Sequence, residues 1–152
     1  MNDPCKQIRS VLERRLPDIL MQGFFLGAEL VEQPDSDFGQ ATGWTARIET
    51  DAPCPGVFFF CAPAAQMEAL SAELLGVDDP VYDNVADIMA EFANVVAGRI
   101  ALDLQYASEH EPKIGLPKVG QDLFPPPEDL DIHLRFRVED AFLSVGWKAS
   151  ES

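Results

Sequence analysis

Val81-Tyr82-Asp83-Asn84-Val85-Ala86-Asp87-Ile88-Met89-Ala90-Glu91-Phe92-Ala93-Asn94-Val95-Val96-Ala97-Gly98-Arg99-Ile100-Ala101-Leu102-Asp103-Leu104-Gln105 is the longest stretch with unbroken helical spacing in this chain. An α-helix advances about 100° per residue, and at that step Val81, Val85, Ile88, Met89, Phe92, Val96 and Ile100 form one apolar stripe that should lie on a sheet. Asp87, Glu91, Asn94 and Gly98 fall nearly opposite, as a polar ridge pointing outward. Ala86, Ala90, Ala93, Ala97 and Ala101 run beside the ridge. Small side chains keep a helix surface low, so Asp87, Ala90, Ala97 and Gly98 are expected to let another protein's backbone come close to Glu91 and Asn94. Asn is a mediocre helix former because its amide competes for backbone hydrogen bonds. Its place mid-helix therefore raises a functional question. Spacing alone does not answer it, since solvated Glu and Asn side chains are ordinary on the outer face of an acidic protein.

Upstream of this helix, Ile8, Val11, Leu12, Leu16, Ile19 and Leu20 predict an amphipathic helix over about Pro4 to Gln22, with Pro17 placed to kink it. Phe24 to Val31 reads as a strand, and Gly43 to Glu49 alternates with period two as a second. Gln33-Pro34-Asp35-Ser36-Asp37 between them is turn chemistry, as is Asp51-Ala52-Pro53-Cys54-Pro55-Gly56. Val57-Phe58-Phe59-Phe60-Cys61 is apolar on both faces, as in a central strand. Ala62 to Leu75 reads as a helix stopped by Gly76. Downstream, Lys113 to Gly120 is an edge strand or a loop, and Phe124-Pro125-Pro126-Pro127-Glu128-Asp129 a stiff connector. Asp131 to Val138 and Ala141 to Trp147 alternate and meet at Glu139-Asp140, a predicted hairpin. Helix-then-strands, twice over, predicts an α/β or α+β architecture with long helices packed on a mixed, mostly antiparallel sheet, spread over residues 1–152 as a single domain.

Charge sets limits on partners. Asp and Glu number 26 against 11 Lys and Arg, a formal net charge of -15, so nucleic-acid phosphates and anionic lipid surfaces are repelled at long range. The first residues do not read as a secretory signal, and no apolar run approaches the ~18 residues that span a bilayer. Cys5, Cys54 and Cys61 are an odd set without C-x-x-C spacing, which speaks against a disulfide framework or a thiolate metal site and favours three small, partly buried side chains in a reducing cytoplasm. G-x-S-x-G, H-E-x-x-H and P-loop motifs are absent, and His110 and His133 stand far apart in sequence, which leaves a small-molecule hydrolase without support. His133, in an alternating strand, reads as a surface or structural residue, and Trp44 and Trp147 as core or sheet-face residues.

The segment Ala90-Glu91-Phe92-Ala93-Asn94-Val95-Val96-Ala97-Gly98-Arg99-Ile100-Ala101-Leu102-Asp103-Leu104 resembles the signature helix of the CheX/CheC chemotaxis phosphatases, whose hallmark is E-x-x-N followed by a small-Gly pair. The likeness extends to Ile114-Gly115-Leu116-Pro117-Lys118-Val119-Gly120-Gln121-Asp122-Leu123 and to the Val57 to Gly76 strand-helix unit, and weakens before about Gly56. It implies a CheC-like fold and hydrolysis of the aspartyl phosphate of a response-regulator receiver domain. Asn94 would then position the attacking water, and Glu91 would pair with the receiver's active-site lysine. The Mg²⁺ would be carried by the receiver, since no carboxylate or His cluster in this chain has an obvious metal-site spacing. Other members carry a second E-x-x-N on the first helix. Here Glu13 is followed three residues later by Leu16, so the resemblance is closer to CheX, with one site, and implies a homodimer. A module of the same fold that binds a receiver or another signalling protein without hydrolysis remains the alternative.

Overall fold

In the computed structural model, residues 4–31, 43–52, 54–105, 113–121 and 130–150 are described. A short 3-10 helix, Pro4–Gln7, leads into α1, Ile8–Phe24. Strands β1 (Ala28–Leu30), β2 (Gly43–Ala52) and β3 (Gly56–Pro63) follow, then helices α2 (Ala64–Leu75) and α3 (Tyr82–Gln105). The chain continues through β4 (Lys113–Ile114), β5 (Lys118–Gln121), β6 (Ile132–Val138) and β7 (Ala141–Ala149). The Gln33 to Asp37 turn and the Phe124 to Asp129 connector lie outside the described residues, as does His110.

The strands form a seven-stranded sheet in the order β1-β6-β7-β3-β2-β4, with β5 also paired to β2. Every described pairing is antiparallel, so the fold is α+β on an antiparallel sheet and the expected parallel component of a mixed sheet is not among the described pairs. The period-two pattern explains the layering. Trp44, Ala46 and Ile48 of β2, Phe58, Phe60 and Ala62 of β3, Leu134 and Phe136 of β6, and Val145 and Trp147 of β7 join the apolar sides of the helices in one buried cluster. The β6–β7 hairpin turns at Glu139-Asp140 as expected, with Glu139 at φ 54°.

Two features depart from the sequence expectation. The strand expected from Phe24 starts only at Ala28, because α1 runs on through Phe24, whose ring meets Phe92 of α3 edge-on at 4.5 Å between centroids. Period two cannot separate a strand from a helix end when Phe24, Phe25 and Leu26 are all apolar. The three cysteines also differ from expectation: Cys5 and Cys54 form a disulfide, with Cα atoms 5.5 Å apart, while Cys61 is buried outside it. The packing of the 3-10 helix beside the β2–β3 connection brings together two residues 49 apart in sequence, a contact no local spacing can announce.

Gly56 shows how tightly β3 and β7 are matched. A Cβ built there would meet the Trp147 ring at 2.4 Å and the Lys148 carbonyl at 2.6 Å. Neither the indole, 3% exposed, nor a backbone carbonyl in a sheet can move away cheaply. Gly56→Ala is therefore expected to lower unfolding stability by about 2 kcal/mol or more, read as a reduced denaturant midpoint.

Candidate functional site

Helix α3 is held on two flanks. On one, α1 runs antiparallel to it: Phe24 meets Phe92 edge-on, the position of a Gly23 Cβ is 3.8 Å from Val95, and the Arg15 Nε donates to Asp103 at 2.9 Å. That hydrogen bond, with the Asp103 charge behind it, raises the Arg15 pKa further above its ordinary value. On the other flank, α3 lies against β2 and its outer neighbours. The Tyr82 ring covers Trp44 at 4.7 Å, and the Tyr82 hydroxyl accepts from the Gln121 N–H at 3.4 Å. Further along, Ile114 reaches within 3.6 Å of where a Gly98 Cβ would stand.

Between these flanks one strip of α3 faces outward. Asp87, Glu91 and Asn94 are exposed and Gly98 is half-buried, so the polar ridge read from the sequence is present as a surface. Glu91 and Asn94, three residues apart, lie on the same side of the helix, where such pairs have side-chain origins about 5–6 Å apart. The carboxylate and amide can thus enter one shallow pocket of a partner.

The alanine row is a different matter. Ala93 and Ala97 are 0% exposed and Ala101 is buried beside them, while Ala90 is half-buried. Ala97 therefore cannot contact a partner, contrary to expectation. Two flanks are covered, so the buried arc of α3 exceeds half its circumference and takes in the alanines. Ala101 faces Thr50, Phe58 and Trp147 of the sheet. Their small size lets α3 settle close to its own domain rather than to another protein. At the opposite extreme, Val81 of the expected apolar stripe is 61% exposed, because it precedes the first turn of α3, and Ile88 is only half-buried.

Among the described residues no three His, Cys, Asp or Glu side chains gather closely enough to hold a metal ion. His133 lies half-buried on β6, separated from β2 by β7 and β3, with its pKa lowered chiefly by burial and then by the Arg135 and Arg9 charges. No described helix is long and apolar enough to cross a membrane. Two exposed apolar residues beside the strip, Phe25 and Leu116, had no periodic signal to mark them.

Solved structures with the same fold include a CheX from Desulfovibrio desulfuricans, 12% identical, TM-score 0.76, with 95% of this chain and 99% of that one covered. A CheX–CheY–BeF3–Mg²⁺ complex from Borrelia burgdorferi contains a similar chain, 12% identical at TM-score 0.69, covering 97% and 96%. CheX from Vibrio vulnificus is 16% identical at TM-score 0.68, covering 97% and 100%. No curated protein matches the chain. The family model for the chemotaxis phosphatase CheX matches residues 44–122, which take in β2, β3, α2, the whole of α3, β4 and β5, and the chain belongs to the CheX family.

Proposed function

We propose that this protein hydrolyses the aspartyl phosphate of a response-regulator receiver domain, docking through the outward strip of α3. The observation that carries this reading is the joint exposure of Glu91 and Asn94 on one side of that helix, within a chain of the CheX family. The chemistry suits them. An acyl phosphate is already labile, so a catalyst has mainly to hold a water in line with the P–O bond and steady the spreading charge. The Asn94 amide oxygen accepts from that water while its lone pair faces phosphorus, and the amide N–H₂ is free to donate to a phosphoryl oxygen. As the water oxygen bonds to phosphorus, the P–O bond to the aspartyl oxygen breaks and the receiver's carboxylate leaves as an anion, while one proton of the water stays on its oxygen and the other passes to a phosphoryl oxygen, releasing dihydrogen phosphate. No strong base is needed.

Glu91 has a separate task. Its carboxylate pairs with the receiver's active-site lysine and sets the register in which Asn94 enters the pocket. Mg²⁺ sits on the receiver; the Borrelia CheX–CheY complex carries BeF3 and Mg²⁺. The protein acts in the cytoplasm as a homodimer joined sheet edge to sheet edge, for which β1 offers an edge strand apart from the α3 strip. Asp87 and Gly98 extend the docking strip along α3, with Ala90 at its margin.

The test follows the phosphate on receivers of the same organism, phosphorylated with a small-molecule donor. Substoichiometric protein is expected to speed the decay of one receiver by at least tenfold. Unchanged decay of every receiver would end the enzyme reading, and unchanged decay with phosphorylation-dependent binding would replace it with a binding module.

A further inference from the structure

The last residue before the chain leaves α1 is spent in an unusual way. Phe25 takes the left-handed conformation, φ 58° and ψ 34°, that closes the helix: its N–H donates to the Met21 carbonyl at 3.1 Å, and the next N–H, of Leu26, to the Leu20 carbonyl at 3.2 Å. Glycine is the residue that adopts this conformation without steric cost, and α2 ends that way, on Gly76 at φ 68°. A bulky side chain there is an outlier. The Phe25 side chain gains nothing in return from the core, being 84% exposed. Met21, whose carbonyl accepts from the Phe25 N–H one turn earlier, is 50% exposed. Folding alone would favour Gly or Asn at position 25, and strain kept without local benefit points to function.

Its place in the fold says which function. Phe24 packs edge-on against Phe92, the neighbour of Glu91, so Phe25 leaves α1 at the level of Glu91 along α3. The other flank offers a matching feature. Residues 113–121 run antiparallel to α3, with Gln121 at Tyr82 and Ile114 at Gly98. Leu116, between those two contacts, falls beside the Glu91–Asn94 segment and is 87% exposed. Its loop is fixed rather than loose, because the Gly115 N–H donates to the Glu49 carbonyl at 2.7 Å. An exposed phenylalanine and an exposed leucine thus stand on opposite sides of the carboxylate and the amide, at one height on the helix.

We propose that Phe25, supported by Met21, and Leu116 are apolar anchors that seat the receiver domain over Glu91 and Asn94. The inference rests on the receiver reading given above. Electrostatics argues for apolar anchors here: the chain carries a formal net charge of -15, and the receiver pocket that holds Mg²⁺ is itself built of carboxylates. Long-range attraction is therefore weak, and most of the holding must come from desolvated side chains at the centre of the contact, where aromatic anchors dominate binding. The complementary surface on the receiver is an apolar rim around its phosphoaspartate pocket.

Phe25→Gly is the sharp test, because it removes the ring and relieves the backbone at once. Four proteins are compared: wild type, Phe25→Gly, Leu116→Ser and Asn94→Ala. Binding to the receiver loaded with BeF3 and Mg²⁺ is measured by titration, turnover on the phosphorylated receiver as separate KM and kcat, and folding by thermal melts. Phe25→Gly is expected to weaken binding and raise KM by about tenfold or more, with kcat within twofold and the melting temperature unchanged or higher. Leu116→Ser should act in the same direction. If both variants bind and turn over like wild type while Asn94→Ala loses kcat, the anchors are refuted and the receiver reading stands. If Asn94→Ala keeps its kcat, Asn94 leaves the mechanism; the receiver reading itself fails only if wild type neither binds the receiver nor speeds its dephosphorylation. Should Phe25→Gly instead turn a dimer into a monomer by sizing, with receiver affinity intact, the patch is a contact between copies and the proposal is overturned.

Discussion

Asn94→Ala is expected to lower kcat on a phosphorylated receiver by about a hundredfold or more while leaving receiver binding within a few-fold of wild type. The amide has a role only once water and phosphorus are aligned, so its loss falls on the reacting geometry rather than on the contact that brings the two proteins together. Structural damage is not a competing explanation. Asn94 is exposed on α3, and alanine is the better helix former by about 0.5 kcal/mol, so the variant should melt at the wild-type temperature or slightly above it. Glu91→Gln supplies the contrast. It keeps the shape and removes the charge that grips the receiver's lysine, so its effect should appear first in KM and grow weaker with added salt. An Asn94→Ala protein whose kcat stays within twofold of wild type would remove Asn94 from the mechanism.

The parts of this site that periodicity controls were legible in the sequence, and the parts that depend on long-range packing were not. Asp87, Glu91, Asn94 and Gly98 could be placed on one strip because helical geometry dictates it once α3 is assigned. Which neighbouring strips stay open depends on what lies across them. The covering of α3 by both α1 and the sheet is a tertiary fact, and it turned Ala97 from an expected contact residue into a buried one. Phe25 was hidden for a related reason. In the run Phe24-Phe25-Leu26 every residue is apolar, so nothing distinguishes the core residue from the exposed helix cap until the backbone angle is known. The alternating strands β2, β6 and β7 and the glycine stop of α2 were legible because short-range chemistry decides them.

The Cys5–Cys54 disulfide leads to the largest expected change in stability. It closes a loop spanning 49 residues that includes α1, β1 and β2, and it ties the start of the helical layer to the β2–β3 connection. On the chain-entropy account, closing a loop of that length restrains the unfolded chain by about 4 kcal/mol, which for a chain of this size is roughly 10 °C in melting temperature. Cys5→Ser, or wild type in reductant, should show that loss against the oxidised protein. Thiol titration after denaturation gives the state directly: one reactive thiol, Cys61, in the oxidised form and three in the reduced one. Catalysis should not follow stability. Cys54 borders a small cavity with Ala101 and Leu104, which lie about 10 Å and about 15 Å along α3 from Asn94. At 25 °C the reduced, still folded protein should therefore turn over its receiver at the oxidised rate, and only its thermal limit should drop. Superimposable melts for the two states would mean the bond does not restrain the fold. A reducing cytoplasm, the setting proposed above, keeps such pairs as thiols. The less stable dithiol form would then be the working one, held up by the packing of α1 on α3 and by the Arg15–Asp103 pair rather than by the covalent tie.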